Sequence, residues 1–233
     1  MNIALLGYGK MGKIIEEVAL KRGHTIVLKT TSKTQDFSLE HVDVAIEFSI
    51  PESAFNNITK SIKSGVPIIS GTTGWLNKYN NIATLCESEQ GTFLYASNFS
   101  LGVNVFFELN RQLAKLIGHY DTYKLDITET HHTQKLDAPS GTAISLAEDI
   151  IRETHYEDWS LDQSSETHIP ITAIRQPNVP GTHKVSYHSE IDSIEIEHTA
   201  HSRMGFALGA VIAAEWIQDK KGIFTMKDVL NIG

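Results

Sequence analysis

The chain has 233 residues, of which 41% are apolar and 21% charged, and it carries a net charge of −8 with a pI near 5.7. This composition is typical of a soluble globular protein, and the negative charge disfavours general attraction to nucleic acid or anionic lipid. Cys86 is the single cysteine, which excludes an intrachain disulfide and fits a reducing cytoplasm. No apolar run is long enough for a transmembrane helix, and the first residues lack the features of a signal peptide.

The first hundred residues alternate between short apolar runs and amphipathic stretches, which predicts βαβ units and a parallel sheet. Ser49, followed by Pro51 and Glu52, is typical of a helix start. Cys86 falls in an apolar helical pattern and is predicted to be a core residue. The predicted strands span residues 2–6, 25–28, 42–48, 66–70 and 92–96, and the predicted helices span 10–22, 54–64 and 76–89.

The pattern changes after residue 98. Helices are predicted over 103–117, 140–152 and 206–217, and a strand over 124–129. The stretch 156–166 is polar and predicts a surface loop. Three alternating runs, 169–174, 184–188 and 193–199, indicate an antiparallel sheet with one covered face. We therefore predict an α/β protein with a nucleotide-binding domain over about 1–100 and 205–233, and a substrate domain over about 101–204.

A glycine-rich loop follows the first strand and opens the first helix. Gly7, Gly9 and Gly12 have the G-x-G-x-x-G spacing. In a dinucleotide site the first glycine permits the turn, the second lets the pyrophosphate approach the backbone, and the third lets helix and strand pack closely. The helix N-terminus then offers free N–H groups to phosphates. An ordinary tight turn is the alternative interpretation.

An acidic residue is expected about 20 residues further on, to bind the ribose hydroxyls, but residues 18–35 contain no Asp or Glu. The second strand instead runs into Lys29, two threonines, Ser32 and Lys33. Hydroxyl and ammonium groups suit a 2′-phosphate, so we expect NADPH to be accepted. Lysines at a strand end are also common as solvated surface residues.

A second cluster combines a proton donor with a cation and a helix start. His131 and His132 stand four and three residues before Lys135, and Ser140–Thr142 follows a proline as a helix N-terminus should. An imidazole can donate a proton near neutral pH, and the helix N–H groups can bind a carboxylate. Surface histidines and a zinc site are the alternatives. Zinc is disfavoured because adjacent strand residues point to opposite faces.

Two further loops, Gly71–Gly74 and Ala96–Ser100, follow predicted strands, as Phe48 and Ser49 also do. Ligands of open parallel sheets bind beyond the carboxyl ends of the strands. Small polar residues there suit a nicotinamide carboxamide, a ribose or a substrate carboxylate. Simple loop chemistry is the alternative interpretation.

The run Glu129–Ala143, ETHHTQKLDAPSGTA in one-letter code, resembles the signature of the dihydrodipicolinate reductase family. The blocks 71–74, 97–100 and 102–104 and the region of Arg203 are also similar to that family, and the resemblance spans essentially the whole chain. It implies a Rossmann-like N-terminal domain and an α+β domain with a mixed or antiparallel sheet, which binds substrate and forms a homotetramer. It also implies NADPH or NADH as coenzyme, a small dicarboxylate substrate and a cytoplasmic enzyme of lysine and diaminopimelate biosynthesis.

The resemblance also implies site residues. His131 would be the proton donor and Lys135 the second catalytic residue, and no metal is implied. The implied substrate-binding residues are His132, Gly141, Thr142 and Thr73. The implied coenzyme-binding residues are Gly7, Tyr8, Gly9, Lys10, Met11, Gly12, Phe48, Gly71, Thr72, Thr73, Ala96, Ser97, Asn98 and Phe99.

The chain departs from the family pattern in several places. Its glycine loop is one residue shorter, the acid at the end of strand two is missing, and Glu47 and Thr182 replace the usual Asp and Glu of two blocks. Two other functions remain alternatives. One is a dehydrogenase of a homoserine or aspartate type, and the other is a nucleotide-sensing module without turnover.

Overall fold

A computed structural model describes residues 1–34, 36–163 and 165–232. Three residues lie outside the described ranges: Gln35, Ser164 and Gly233. They belong to the predicted acid-free stretch, the predicted surface loop and the C-terminal segment, respectively. The chain divides into two compact units, Met1–Asn104 with Arg203–Gly233 and Val105–Ser202. Within the described ranges, no helix has the length and apolar character needed to cross a membrane.

The helices and strands alternate through the first half of the chain, as predicted. In chain order the elements are β1 (Asn2–Leu6), α1 (Lys10–Lys21), β2 (Thr25–Thr30), β3 (Val44–Glu47), α2 (Pro51–Lys63), β4 (Ile68–Ser70), a 3₁₀ turn (Leu76–Lys78), α3 (Tyr79–Ser88), β5 (Thr92–Tyr95), α4 (Leu101–Ile117), β6 (Lys124–His131), α5 (Gly141–Ile151), β7 (Asp158–Leu161), β8 (His168–Arg175), β9 (Gly181–His188), β10 (Ser193–Ala200), α6 (Met204–Trp216), β11 (Gly222–Phe224) and α7 (Met226–Leu230).

The first unit contains a parallel sheet in the order β11-β5-β4-β3-β1-β2. Its inner strands β1, β3, β4 and β5 are mostly buried because both faces of the sheet are covered there, whereas the edge strand β2 is partly exposed. On one face α1 packs against α6, and on the other face α2 and α3 form a second cluster that includes buried Cys86. The carboxyl ends of β1, β3 and β4 therefore lie at one edge, where the predicted loops begin.

Helix α6 approaches the backbone of the loop after β5 very closely. A Cβ added at Gly209 would lie 1.7 Å from the carbonyl oxygen of Phe99, so only glycine fits there. The alanines that follow along this helix are fully buried. Small residues thus let α6 pack close to the parallel sheet, which returns the end of the chain to the first unit.

The second unit contains a mixed sheet in the order β10-β9-β6-β8-β7. Strand β6 pairs antiparallel with β9 and parallel with β8, and β9 pairs antiparallel with β10. Helices α4 and α5 cover one face of this sheet with an apolar cluster. The sheet is therefore mixed and not purely antiparallel, because β8 follows β6 through the crossover that contains α5.

Three local predictions were wrong. The stretch 156–166 contains the edge strand β7, whose polar sequence carries little strand signal. Strand β11 and helix α7, which follow the predicted break at Gly222, were missed because both are short. Ser49 does not cap α2: this helix starts after Ile50, without a side-chain cap, and the Ser49 hydroxyl bonds to the Glu47 carboxylate instead.

Candidate active site

Three neighbouring strands bring charged and imidazole side chains to one face of the mixed sheet. Glu129 and His131 lie two residues apart on β6 and so point to the same face. Glu129 is paired in register with His183 on β9, and His131 is paired with Arg175 on β8. Of these four residues, sequence reasoning had assigned a role only to His131. Arg175 and His183 reach it through strand pairing, which the sequence does not show.

Glu129 is the centre of this cluster and is fully buried. Its Oε2 atom lies 2.5 Å from Nδ1 of His131. Its Oε1 atom accepts hydrogen bonds from Nη2 of Arg175 at 3.0 Å and from the backbone N–H of Ser140 at 3.2 Å. Burial alone would raise the pKa of this carboxyl, but the bonds from His131, Ser140 and Arg175 prevail and lower it to about 2. Glu129 is therefore a carboxylate at any physiological pH.

His183 is the second buried imidazole of the cluster. Its Nε2 lies 3.0 Å from Oγ of Ser140, and its ring meets that of His131 edge to face at a centroid distance of 5.0 Å. Burial, and next the charge that His131 carries when protonated, lower the pKa of His183 to about 4. His183 is thus neutral near pH 7.

One ligand atom from each of Glu129, His131 and His183 lies within 4.8 Å of the other two, so the distances between these atoms can be compared with those of a metal site. Two ligands of a tetrahedral zinc, each at about 2.0–2.1 Å, stand roughly 3.3 Å apart, whereas Oε2 of Glu129 and Nδ1 of His131 are 2.5 Å apart. The guanidinium of Arg175 also bonds to the same carboxylate. This geometry fits a shared proton better than a metal ion.

Helix α5 begins beside the cluster, as predicted. Ser140 is its N-cap, and the Ser140 Oγ accepts a hydrogen bond from the N–H of Ala143 at 3.2 Å. The first N–H groups of a helix have no partner within the helix, and here they belong to Gly141 and Thr142. A Cβ added at Gly141 would meet nothing within 4 Å. A carboxylate therefore has room to approach these groups.

The loop between β6 and α5 carries Lys135, whose Nζ lies 2.7 Å from Oδ2 of Asp137. Arg175 holds this loop by donating to the carbonyl of Asp137 at 2.7 Å and to that of Lys135 at 3.4 Å. The same guanidinium bonds to Glu129. Nδ1 of His132 is buried and has no hydrogen-bond partner among the described residues. The structure thus brings together His131, His132, Lys135 and the start of α5 within one unit.

The glycine loop of the first unit has the geometry that its spacing predicts. Gly7 has a φ of +111°, and a Cβ there would lie 2.1 Å from the carbonyl oxygen of Phe48. A Cβ at Gly12 would lie 2.5 Å from the carbonyl oxygen of Gly7. At Gly9, by contrast, an added Cβ would meet nothing within 4 Å. Gly7 and Gly12 are therefore needed for the fold, whereas Gly9 leaves its backbone open to a ligand.

Two grooves meet at this loop and share Gly9, Phe48 and Ser49. The first has a volume of about 300 Å³ and extends to the end of β2. The second has a volume of about 350 Å³ and extends to the loop after β4. The predicted coenzyme residues that line one or both grooves are Gly7, Tyr8, Gly9, Lys10, Met11, Phe48, Gly71, Thr72 and Thr73.

The remaining predicted coenzyme residues do not line these grooves. Phe99 is buried and packs its ring 5.5 Å from that of Phe48, and Asn98 accepts a bond from the N–H of Ser100. Ala96 donates its N–H to Ser70, and Ser97 is exposed. Within this unit, the loop 96–99 therefore supports the sheet edge.

Sequence reasoning also missed Glu47, which is fully buried at the end of β3. Its carboxylate accepts bonds from the N–H and hydroxyl of Ser49 and, at 2.7 and 3.0 Å, from the hydroxyls of Ser70 and Thr72. A carboxylate inside an apolar strand pattern gave no sign of this role. It fixes the loops that follow β3 and β4, and so shapes the second groove.

Lys29 is less available to a ligand than predicted. Its Nζ lies 2.5 Å from Oε1 of Glu16 and 4.6 Å from the centre of the Tyr8 ring. Lys33 is exposed beside Ser32, which lines the first groove. Among the described residues that line this groove, none is acidic. The polar wall of the groove is therefore formed mainly by hydroxyl groups, including those of Thr31, Ser32 and Thr34.

The buried groups of the cluster make stability depend on pH. The pKa of His183 is lowered from an ordinary 6.5 to about 4, so the unfolded chain binds a proton there that the folded chain does not. The free energy of unfolding should therefore fall as pH drops through this window, by on the order of 3 kcal/mol from His183 alone. The lowered pKa of Glu129 extends the loss, between about pH 4.5 and 2.

Urea unfolding at about pH 7 and about pH 4 tests this expectation with His183→Gln, whose amide can still bond to Ser140. The stability difference between the two pH values should shrink in that variant. In His155→Gln, which removes an exposed imidazole, the difference should persist. Equal pH dependence in the wild type and in His183→Gln would contradict the buried neutral imidazole.

Comparison with known proteins gives consistent matches over the whole chain. Two family models, "Dihydrodipicolinate reductase, N-terminus" and "Dihydrodipicolinate reductase, C-terminus", match residues 1–99 and 102–230. The 4-hydroxy-tetrahydrodipicolinate reductase of Christiangramia forsetii is 56% identical over 234 residues, covering 99% of this chain and 98% of that protein. That of Lawsonia intracellularis is 32% identical over 260 residues, covering 99% of each.

A solved structure shares the fold. The dipicolinate-bound dihydrodipicolinate reductase from Paenisporosarcina sp. TG-14 has a TM-score of 0.77 and 21% identity, and the match covers 97% of each chain. This similarity agrees with the two-unit architecture, with its parallel sheet and its mixed sheet.

Proposed function

The chain belongs to the dihydrodipicolinate reductase family, and from this premise we propose that His131 and Lys135 act on a cyclic dicarboxylate bound at the start of α5. The reaction is the NAD(P)H-dependent reduction of 4-hydroxy-tetrahydrodipicolinate to tetrahydrodipicolinate in lysine and diaminopimelate biosynthesis. The observation that carries the site proposal is the convergence of an acid, a cation and a helix N-terminus in one unit. This reading replaces the homoserine-type and nucleotide-sensing alternatives.

We assign substrate binding to the second unit. The N–H groups of Gly141 and Thr142 and the ammonium of Lys135 would hold carboxylates, and the unpartnered Nδ1 of His132 would bond to the same ligand. The ammonium of Lys135 forms a salt bridge with Asp137, so a substrate carboxylate has to compete with the Asp137 carboxylate for it. We also assign Thr73, which lines the second groove, a substrate contact.

We assign coenzyme binding to the first unit. The residues fit a dinucleotide: the open backbone at Gly9 and the start of α1 suit a pyrophosphate, and the two grooves extend from it in opposite directions along the sheet edge. The reduced nicotinamide supplies the hydride when bound. The 4-hydroxyl group of the substrate leaves as water, His131 supplies the proton to the ring carbon adjacent to the one that receives the hydride, and Lys135 stabilises the charge that develops on the substrate.

Replacing Lys135 with Met should lower kcat/KM by about 10²–10³-fold, because a fixed charge aimed at a developing negative charge has effects of this size. Steady-state kinetics with enzymatically generated substrate measure the change. Lys115→Met removes an exposed lysine of α4 in the same unit and should retain wild-type rates. An unchanged kcat/KM in Lys135→Met would exclude this lysine from the reaction.

The hydroxyl-lined wall of the first groove leads us to propose that NADPH is used as well as NADH. Ser32→Glu places a carboxylate where a 2′-phosphate would bind, and a like-charge contact near a surface costs about 1–4 kcal/mol. We expect kcat/KM for NADPH to fall at least about tenfold, with a much smaller change for NADH. Ser38→Glu adds the same charge at an exposed residue outside the groove and serves as control. Equal losses for both coenzymes in Ser32→Glu would contradict the proposal.

We further propose that the protein is a cytoplasmic homotetramer that assembles through the mixed sheet of residues 101–204. Its support is the family and the character of the sheet face opposite α4 and α5, where Thr128, Thr130, Thr182 and Lys184 project. Sedimentation velocity tests the assembly. A species of about four chains is expected, and a monomer at micromolar concentration would contradict it.

A further inference from the structure

We infer that Glu129 is a positioning residue for the proposed proton transfer: it holds the proton on Nδ1 of His131 and so leaves Nε2 as the atom that donates to substrate. The inference deepens the proposed function and depends on the role of His131 in it. Neither the family match nor the sequence analysis assigns a role to Glu129.

The contact between Glu129 and His131 sets the position of the imidazole proton. Oε2 of Glu129 and Nδ1 of His131 form an ion-pair contact of 2.5 Å, and neither atom has a well-aligned hydrogen bond to any described residue. Because an ionised carboxylate can only accept hydrogen bonds, this contact favours the proton on Nδ1. Glu129 cannot turn away, because Arg175 and the N–H of Ser140 both bond to its other oxygen. Glu129 is therefore held in place, and its contact with Nδ1 fixes the orientation of the His131 ring.

On the opposite edge of the His131 ring, a glycine lies next to Nε2. A Cβ added at Gly181 would lie 3.1 Å from Nε2 and 3.2 Å from Cδ2 of His131, which is tighter than an ordinary contact. Gly181 has no left-handed φ that would explain a glycine there. Its lack of a side chain instead keeps Nε2 uncrowded, as the atom that exchanges a proton with a ligand should be.

Charged and titratable groups lie on each of the elements around His131. Arg175 on β8 and Lys135 on the following loop are cations, His183 on β9 is neutral, and Asp137 is already paired with Lys135. Glu129 is the one buried carboxylate on the same strand. Without it, the Arg175 cation would lose its carboxylate partner beside the His131 ring, which disfavours the imidazolium.

The pH profile of kcat/KM tests this role. A general acid loses activity as pH rises through its titration, so Glu129→Gln should move the alkaline fall in kcat/KM to lower pH by about one unit or more. The Kd for NADPH should stay within about twofold of wild type, since Glu129 lies outside the coenzyme grooves. The control is Glu215→Gln, which removes a carboxylate paired with His24 at 2.7 Å and should leave the profile unchanged. An unshifted profile in a folded Glu129→Gln would overturn the inference.

A second measurement reads the position of the proton directly in the wild-type protein. In the ¹⁵N spectrum of the wild-type imidazoles, with His131→Gln used for assignment, the neutral His131 ring should carry its proton on Nδ1. A neutral ring protonated on Nε2 would overturn the positioning role, whatever the kinetics show. Full activity of His131→Gln would instead refute the proposed function of His131, so the two failures are distinguishable.

Discussion

We expect His131→Gln to lower kcat by about 10²–10⁴-fold and to leave the Kd for NADPH within about twofold of the wild-type value. The reason is that a positioned general acid contributes an acceleration of this size, and glutamine has no proton to give at neutral pH. Its amide can still bond to Glu129, so the buried carboxylate keeps a partner. The change should therefore appear in the proton-transfer step and not in folding.

Stopped-flow turnover and fluorescence titration of NADPH measure the two quantities. His155→Gln is the matched control, because it removes an exposed imidazole of the same unit and should retain wild-type kcat. If kcat is preserved in His131→Gln, another group donates the proton. If kcat is lost together with folding, near-UV circular dichroism would show it.

Gly9→Val should raise the Kd for NADPH at least about 100-fold without lowering the thermal stability of the protein. Nothing lies within 4 Å of a Cβ at this position, so the folded chain accepts the side chain. The same space is needed by the coenzyme pyrophosphate, and each charged hydrogen bond lost there costs about 1.5–3 kcal/mol. Two such bonds correspond to a factor of about 100 or more.

Gly7→Ala provides the contrast. Its φ of +111° and the contact of 2.1 Å with the Phe48 carbonyl should make it destabilising, so its melting temperature should fall. Gly205→Ala, whose Cβ would meet Ser100 at an ordinary 3.5 Å, should change neither quantity. Tight NADPH binding by Gly9→Val would contradict the placement of the pyrophosphate at the glycine loop.

The parts of the fold that were predicted from sequence depend on local signals. The glycine spacing after β1 and the cap at Ser140 each fix a turn within a few residues, and the structure has both as expected. The parallel sheet followed from short apolar strands that alternate with amphipathic helices, a pattern typical of βαβ units. Signals of this kind need no knowledge of distant contacts.

The groups around His131 could not be found in that way. Arg175 and His183 lie 46 and 54 residues from Glu129 in sequence, and only the register of β8 and β9 against β6 places them beside it. Glu129 itself lay inside the quoted motif, yet its neighbours decide its role. Likewise Lys29 was predicted to suit a phosphate, but Glu16, one helix earlier, pairs with it.

Isotope tracing of one turnover tests the central claim most directly. With coenzyme deuterated at the transferred position, in ordinary water, the tetrahydrodipicolinate product should carry one deuterium on a ring carbon. With unlabelled coenzyme in heavy water, deuterium should instead enter the adjacent carbon, and His131→Gln should slow this turnover. Product without coenzyme-derived deuterium, or no substrate-dependent oxidation of NADPH or NADH, would contradict the account.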